Sequence, residues 1–118
     1  MMRDSTRIIP PAARIVASAM AFIEENAARP LKVEDVARHV GVSRRLAELR
    51  FRQVQGETIR DAITRFRVKA LKSRLAASRE SIAHLADEFG FSSPAALVRY
   101  FKTATGEAPG TWRRRNAS

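Results

Sequence analysis

The sequence predicts an all-α fold of about seven helices, with two short helical subdomains joined by one long linker helix. Three observations predict it. Apolar residues recur at helical spacing through most of the 118 residues, and no stretch alternates as a half-buried strand would. The third is a repeat: Val36-Ala37-Arg38-His39-Val40-Gly41-Val42-Ser43 is answered by Leu85-Ala86-Asp87-Glu88-Phe89-Gly90-Phe91-Ser92. Phe51-Arg52 followed by Gly56-Glu57 is likewise answered by Phe101-Lys102 followed by Gly106-Glu107. Ala37 to Ala86 is an offset of 49 and Phe51 to Phe101 an offset of 50, so one unit is duplicated, with a single residue gained between Ser92 and Phe101. Two copies are too few for a solenoid.

Residues 1–11 read as a tail or linker, because Ile8-Ile9-Pro10-Pro11 cannot be helical across its prolines. A first amphipathic helix is predicted from about Ala12 to Ala28, with Ile15, Ala19, Phe22, Ile23 and Asn26 at helical spacing and Arg29-Pro30 ending it. A second runs from about Val33 to Val40. Its first turn holds Glu34 and Asp35, where the macrodipole favours acids, and Val36, Ala37 and Val40 form its buried stripe. Lys32 is a poor N-cap for it. After Gly41, Ser43 caps a third helix to about Val54, closed by Gly56.

Thr58 caps the linker helix through about Ala77, with Ile59, Ile63, Phe66, Ala70 and Leu75 inward. Its other faces carry Arg60, Arg65, Arg67, Lys69, Lys72 and Arg74. Ser81 opens a fifth helix to Phe89, and Gly90 turns the chain. Ser93 and Pro94 open a sixth that Gly106 stops, and Pro109 begins a last short helix around Trp112. The predicted divisions are therefore 12–57 for the first subdomain, 58–77 for the linker, 78–115 for the second subdomain and 116–118 for a tail.

Composition narrows the function classes. A 45% hydrophobic content is that of a globular protein, and zero cysteines removes disulfides, thiol chemistry and zinc ribbons together. Lys+Arg at 22 against Asp+Glu at 12 gives a formal charge of +10, a footprint suited to a polyanion. The apolar run Ile15 to Ile23 is too short to span a bilayer. It also passes straight into Glu24-Glu25-Asn26, so it reads as a helix rather than a signal sequence.

A short helix, a glycine turn and a serine-capped helix make the sequence form of a helix-turn-helix. In that motif the first helix braces the second, which enters the DNA major groove. One copy is weak evidence, since any pair of antiparallel helices can mimic it. Two copies in a basic chain, joined by a continuous helix, are much stronger. A linker from Thr58 to Ala77 spans roughly 30 Å, near the roughly 34 Å between successive major-groove segments on one face of DNA. If the match is imperfect, the DNA must bend or one helix must sit less deeply.

On these residues the chain resembles the DNA-binding domain of the AraC/XylS family of bacterial transcription regulators, over about Ala12 to Arg114. The second copy carries the family's most specific signature: Ile82-Ala83, Ala86, Gly90-Phe91-Ser92, Arg99, Phe101-Lys102, Gly106, Pro109 and Arg113. Trp112 stands where the family usually has tyrosine or phenylalanine. Phe51, Gly56-Glu57-Thr58-Ile59 and the prolines before the first helix are similar to the xylose-operon regulator branch. The resemblance implies seven helices in two homeodomain-like helix-turn-helix subdomains, both binding double-stranded promoter DNA. It further implies RNA polymerase and an effector-binding domain of the same parent protein as partners, a bacterial cytoplasmic location on the nucleoid, and neither cofactor nor membrane. Sugar-utilisation genes are the regulon implied by the xylose-type branch.

Helical phase assigns roles independently of the family. In the sixth helix Leu97, Phe101 and Ala104 share an inward stripe, leaving Ala95, Val98, Arg99 and Lys102 outward. Arg99 is the foremost base-reading candidate, bidentate to guanine in the major groove, with a phosphate contact as its alternative; the family uses an arginine here. Ala95 is a second base candidate and Lys102 a phosphate candidate. Ser92 and Ser93 are helix caps or phosphate contacts. In the third helix, placing Ala47, Phe51 and Val54 inward presents Arg45, Glu48, Leu49 and Arg52. Arg45 fits a guanine edge or a phosphate. Glu48 fits a cytosine amine or an ion pair with Arg44, Arg45 or Arg52. Leu49 has two readings: it meets a thymine methyl, or the helix is rotated so that Leu46 and Leu49 fill the core. Ser43, Arg44, Arg52 and Arg113 complete the DNA-backbone candidates.

His39 and His84 occupy equivalent surface slots with no ligand-spaced partner, so no metal is expected. No nucleophile–base pair, glycine-rich phosphate loop or carboxylate cleft is legible, so no enzyme is expected. Tyr100 and Trp112 are expected to pack rather than to stack on single strands. A basic helical adaptor for an acidic protein or anionic surface is the competing reading.

Overall fold

The computed structural model describes residues 11–117. Seven helices follow one another among them: α1 (Ala12–Glu25), α2 (Val33–Val40), α3 (Arg44–Gln55), α4 (Ile59–Ala77), α5 (Ile82–Glu88), α6 (Pro94–Thr105) and α7 (Pro109–Asn116). No strand occurs among the described residues. The tail expected before Pro11 lies outside them.

Side-chain hydroxyls start four of the helices. Ser43 Oγ accepts from the Leu46 N–H at 3.1 Å, Thr58 Oγ1 from Asp61 at 3.0 Å, Ser81 Oγ from His84 at 3.0 Å and Ser93 Oγ from Ala96 at 3.1 Å. Each satisfies an amide the helix itself cannot, a contribution of about 1 kcal/mol. Lys32 has no acceptor to offer α2. Asp35 supplies it from inside, its carboxylate accepting from the Lys32 N–H at 2.9 Å. That backbone bond, with Arg38 adding to it, holds the Asp35 carboxyl below its usual pKa.

The chain forms two compact units. Among the described residues, one comprises those up to Glu25 together with Leu31–Ile63; the other comprises Asn26–Pro30 together with those from Thr64 onward. The division falls inside α4, which supplies residues to both, rather than at its ends. In the first unit α1 packs on α2 and α3. The residues removed from water there include Ile15, Val16, Ala19 and Ile23 of α1, Val36 and Ala37 of α2, Ala47 and Phe51 of α3, and Ile59, Ala62 and Ile63 of α4. Phe22 is only half-buried and stacks on His39, ring centroids 4.3 Å apart.

The second unit has its own core of Val68, Leu71, Leu75, Leu85, Ala86, Phe89, Leu97 and Phe101, with Tyr100 and Trp112 packed against it. Trp112 lies edge-on to Phe101 at 6.3 Å and Tyr100 edge-on to Phe91 at 5.2 Å. Of the inward stripe expected for α4, Ile59, Ile63, Phe66 and Leu75 are buried and Ala70 is half-buried, while Val68 and Leu71 join the buried face unpredicted.

Arg67 departs from its expected outward position: it is 5% exposed. Its Nη1 donates to the carbonyls of Ala27, at 3.1 Å, and Arg29, and its Nη2 donates to the Phe89 carbonyl at 2.8 Å. The guanidinium also lies 5.1 Å from the Phe91 ring centroid and 5.8 Å from that of Tyr100. Burial draws its pKa below the ordinary arginine value, with Tyr100 opposing the shift. α1 ends at Glu25, short of the expected Ala28. Beyond it the carbonyls of Ala27 and Arg29 accept from Arg67, and Arg29 Nε closes a local turn on Asn26 Oδ1 at 2.8 Å.

Arg74, also expected outward, is a second organising cation. It grips Glu80 through Nε and Nη2 at 2.9 and 2.6 Å, and Glu88 through Nη1 and Nη2 at 2.6 and 2.7 Å. The Glu88 and Glu80 carboxylates raise the Arg74 pKa, and Arg74 holds both carboxyls below the usual range. His84 Nε2 stands 3.3 Å from Glu80 and 3.6 Å from Glu88. His84 therefore does have ligand-spaced neighbours, four residues to either side, with donor atoms within 4.8 Å of one another. The two oxygens nearest the imidazole both accept from Arg74 Nη2, so the chain's own guanidinium occupies that place.

Candidate nucleic-acid interface

Each unit contains one helix-turn-helix: α2–α3 in the first and α5–α6 in the second. The turns share the bond made by Val42 and Phe91 and differ at the glycine, since the Gly90 amide donates to the Asp87 carbonyl. The Gly41 and Val42 amides both donate to the Ala37 carbonyl, and the Phe91 amide to that of Ala86. Gly90 has φ near 80°, and a Cβ there would fall well inside contact distance of Pro30 Cγ and Cδ. Only glycine fits that turn.

The buried residues of α6, Leu97 and Phe101, fix which side meets the core. Ala95, Arg99 and Lys102 are exposed on the other side, as expected, and Val98 is half-buried. In α3, Ala47 and Phe51 are buried, while Arg45, Leu49 and Arg52 are exposed. This answers the open question about Leu49. It is 51% exposed, so the helix is not rotated to bury it. The offset of 50 puts Leu49 in the slot that Arg99 fills in the second copy, Arg45 opposite Ala95 and Arg52 opposite Lys102.

Two inward assignments fail at equivalent places. Val54 is 45% exposed and Ala104 is exposed as well, because the last turns of α3 and α6 run past the residues they pack on. The same turns expose Gln53 and Thr103, a matching pair that sequence reasoning passed over although the repeat aligns them.

Several polar candidates already have protein partners. Glu48 is half-buried and accepts from the Ile59 N–H at 3.2 Å, capping α4, instead of facing outward with Arg45. Arg44 is ion-paired with Glu34, both half exposed. Ser43 and Ser93 are engaged as caps, while Ser92 is exposed. Arg113 is drawn inward: its Nε donates to the Leu75 carbonyl at 3.0 Å, and its Nη2 is buried. Leu75 lies in the last turn of α4, where carbonyls lack helical partners and the dipole favours a cation. Arg113 thus anchors α7 to α4 and is not presented to a phosphate. Arg115 pairs with Glu107.

Among the described residues, Arg45, Arg52, Arg99 and Lys102 enter no ion pair. Unpaired guanidinium and ammonium groups on the exposed side of serine-capped helices suit phosphates and guanine edges. No helix among the described residues is long and apolar enough to cross a membrane.

A family profile described as a helix-turn-helix domain matches residues 36–115, from within α2 to within α7. A putative AraC-like transcription regulator of Streptomyces lividans is 30% identical over 100 residues, covering 85% of this chain and 33% of that protein. The chain thus spans about a third of the length of that curated relative. Among solved structures, the xylose-binding transcription activator XylR aligns with a TM-score of 0.79 and 30% identity, over 89% of this chain and 28% of that one. The DNA-binding domain of AdpA, a global transcriptional factor solved in complex with a target DNA, aligns at 0.69 and 29% identity, over 91% of this chain and 93% of that one. With the duplicated motif and these likenesses together, the chain belongs to the AraC-type helix-turn-helix family of transcription regulator domains.

Proposed function

We propose that this chain is a noncatalytic, sequence-specific reader of double-stranded promoter DNA, with α3 and α6 each entering the major groove. The observation that carries the reading is the repeated presentation. Two serine-capped helices, each braced by a shorter helix across a glycine turn, carry exposed, unpaired cations on the side opposite their own buried residues. Arg99 is the principal base reader, placed for a bidentate contact with guanine O6 and N7. Arg45 reads a base or a phosphate in the first motif. Arg52, Lys102 and the exposed hydroxyl of Ser92 hold the backbone, and Arg44 joins them when a phosphate displaces Glu34, since an exposed ion pair is worth little.

The likeness to AdpA, whose domain was solved on a target DNA, supports duplex binding. The likeness to XylR supports a sugar-utilisation regulon for the parent regulator. In that role the domain works in the bacterial cytoplasm beside RNA polymerase, and an effector-binding domain of the parent protein governs it.

The test is a binding titration on a duplex enriched from a random pool by the chain itself, against a scrambled duplex of equal composition. Arg99→Ala is expected to weaken the enriched duplex by roughly 1–3 kcal/mol and to leave the scrambled one unchanged. Equal losses on both would reassign Arg99 to a phosphate. An absence of any duplex preference would favour the acidic-partner adaptor instead.

A further inference from the structure

We propose that the first motif reads thymine by its methyl group, through Leu49, so that the operator pairs a methyl-read box with a guanine-read box. The inference rests on the proposed duplex binding and adds what the first recognition helix recognises.

Four observations converge on it. Leu49 is 51% exposed although neighbouring Ala47 and Phe51 are buried, so a large apolar side chain has been left on the presented side of an ordered helix. It fills the same repeat slot as Arg99, the central outward position of the second recognition helix. Arg45 and Arg52 flank it at i−4 and i+3, on the same helical side, and neither is ion-paired. Glu48, the only acid in α3, is turned away to cap α4 through the Ile59 amide. The centre of the α3 surface therefore offers an isobutyl group between two cations, with no carboxylate to repel phosphates.

In the major groove only one base edge answers an isobutyl group, the C5-methyl of thymine. Burying an apolar side chain against that methyl removes both from water, and the flanking guanidiniums fix the helix on the backbone while it does so. The second motif uses the same slot for hydrogen bonding. The two copies of one ancestral unit have thus diverged in chemistry while keeping their geometry.

The experiment uses the 118-residue chain and a duplex enriched by it from a random pool. Thymines are replaced one at a time by deoxyuridine, which removes only the C5-methyl. The expected result is one or two positions where binding weakens about fourfold, the effect of withdrawing one buried methyl. Leu49→Ala is expected to bind more weakly and to lose that uracil penalty, while its preference at the guanine that Arg99 reads is unchanged. Replacing that guanine by 7-deazaguanine, which lacks the N7 acceptor, serves as the counterpart for Arg99. Wild-type binding insensitive to uracil at every position would overturn the inference and leave duplex reading intact. So would a penalty that Leu49→Ala retains. A pool that enriches no sequence would overturn duplex reading itself. The deoxyuridine series needs no variant, so the result does not depend on how Leu49→Ala folds.

Discussion

Arg67 holds together three backbone carbonyls from two separate segments. Its guanidinium serves Ala27 and Arg29 in the connection after α1, and Phe89 at the end of α5, while Phe91 and Tyr100 cover its faces. Tyr100 lies in α6 beside Arg99, so the residue that stitches these segments also seats the recognition helix. Burying the guanidinium costs desolvation, which is why its pKa is drawn down. A methionine would avoid that cost but would leave up to three carbonyls without a donor, at about 1–3 kcal/mol for each that water cannot reach. Arg67→Met is therefore expected to destabilise the chain by about 2–4 kcal/mol in urea unfolding. Arg67→Lys should recover only part of this, because one ammonium cannot span acceptors on both segments. A loss below about 0.5 kcal/mol would mean that the carbonyls find water and that Arg67 is not the stitch.

The turns between helices show how one sequence feature can carry two different loads. Gly41 and Gly90 are equivalent in the repeat, and both have positive φ, 87° and 80°. A Cβ on Gly41 meets nothing within 4 Å, whereas one on Gly90 collides with the ring of Pro30. Gly41→Ala is expected to cost only the backbone conformation, about 1–2 kcal/mol. Gly90→Ala should cost clearly more, since Pro30 and its neighbours are held by Arg67 and cannot easily retreat. Thermal unfolding of the two variants side by side checks this, and equal losses would show that the Pro30 contact is soft. Helix order, the serine and threonine caps and the placing of Leu97 and Phe101 inward on α6 were legible in the sequence, because local chemistry sets them. Serine caps and apolar spacing act within a few residues. What was not legible depended on distant backbone. The pattern counts any arginine as outward, so it could not see the carbonyls that bury Arg67 or the Leu75 carbonyl that claims Arg113. Glu48 was misplaced because its partner, the Ile59 amide, belongs to the next helix. Val54 and Ala104 follow the stripe of their helices, but the stripe outlasts the surface it packs on. Leu49 could be decided only once the rotation of α3 was known.

The charge of +10 is neutralised unevenly: the ion pairs among the described residues engage some arginines and leave Arg45, Arg52, Arg99 and Lys102 without a carboxylate. Acids are spent on particular arginines: Glu34 on Arg44, Asp35 on Arg38, Glu80 and Glu88 on Arg74, and Glu107 on Arg115. The cations left unpaired on α3 and α6 are those the two motifs present. Binding to duplex DNA should therefore release about four or five counterions, giving a slope of log K against log salt of about −4 between about 50 and 200 mM salt. The uneven pairing makes a sharper claim than the total does. Arg52→Gln and Lys102→Gln should each flatten the slope by about one unit and weaken enriched and scrambled duplexes alike. Arg74→Gln removes the same formal charge, but from a residue already neutralised by two carboxylates. It should leave the slope nearly unchanged while lowering the unfolding temperature. Fluorescence anisotropy across the salt range separates these cases. If all three substitutions flattened the slope equally, net charge alone would be acting, and the presented faces of α3 and α6 would lose their special standing.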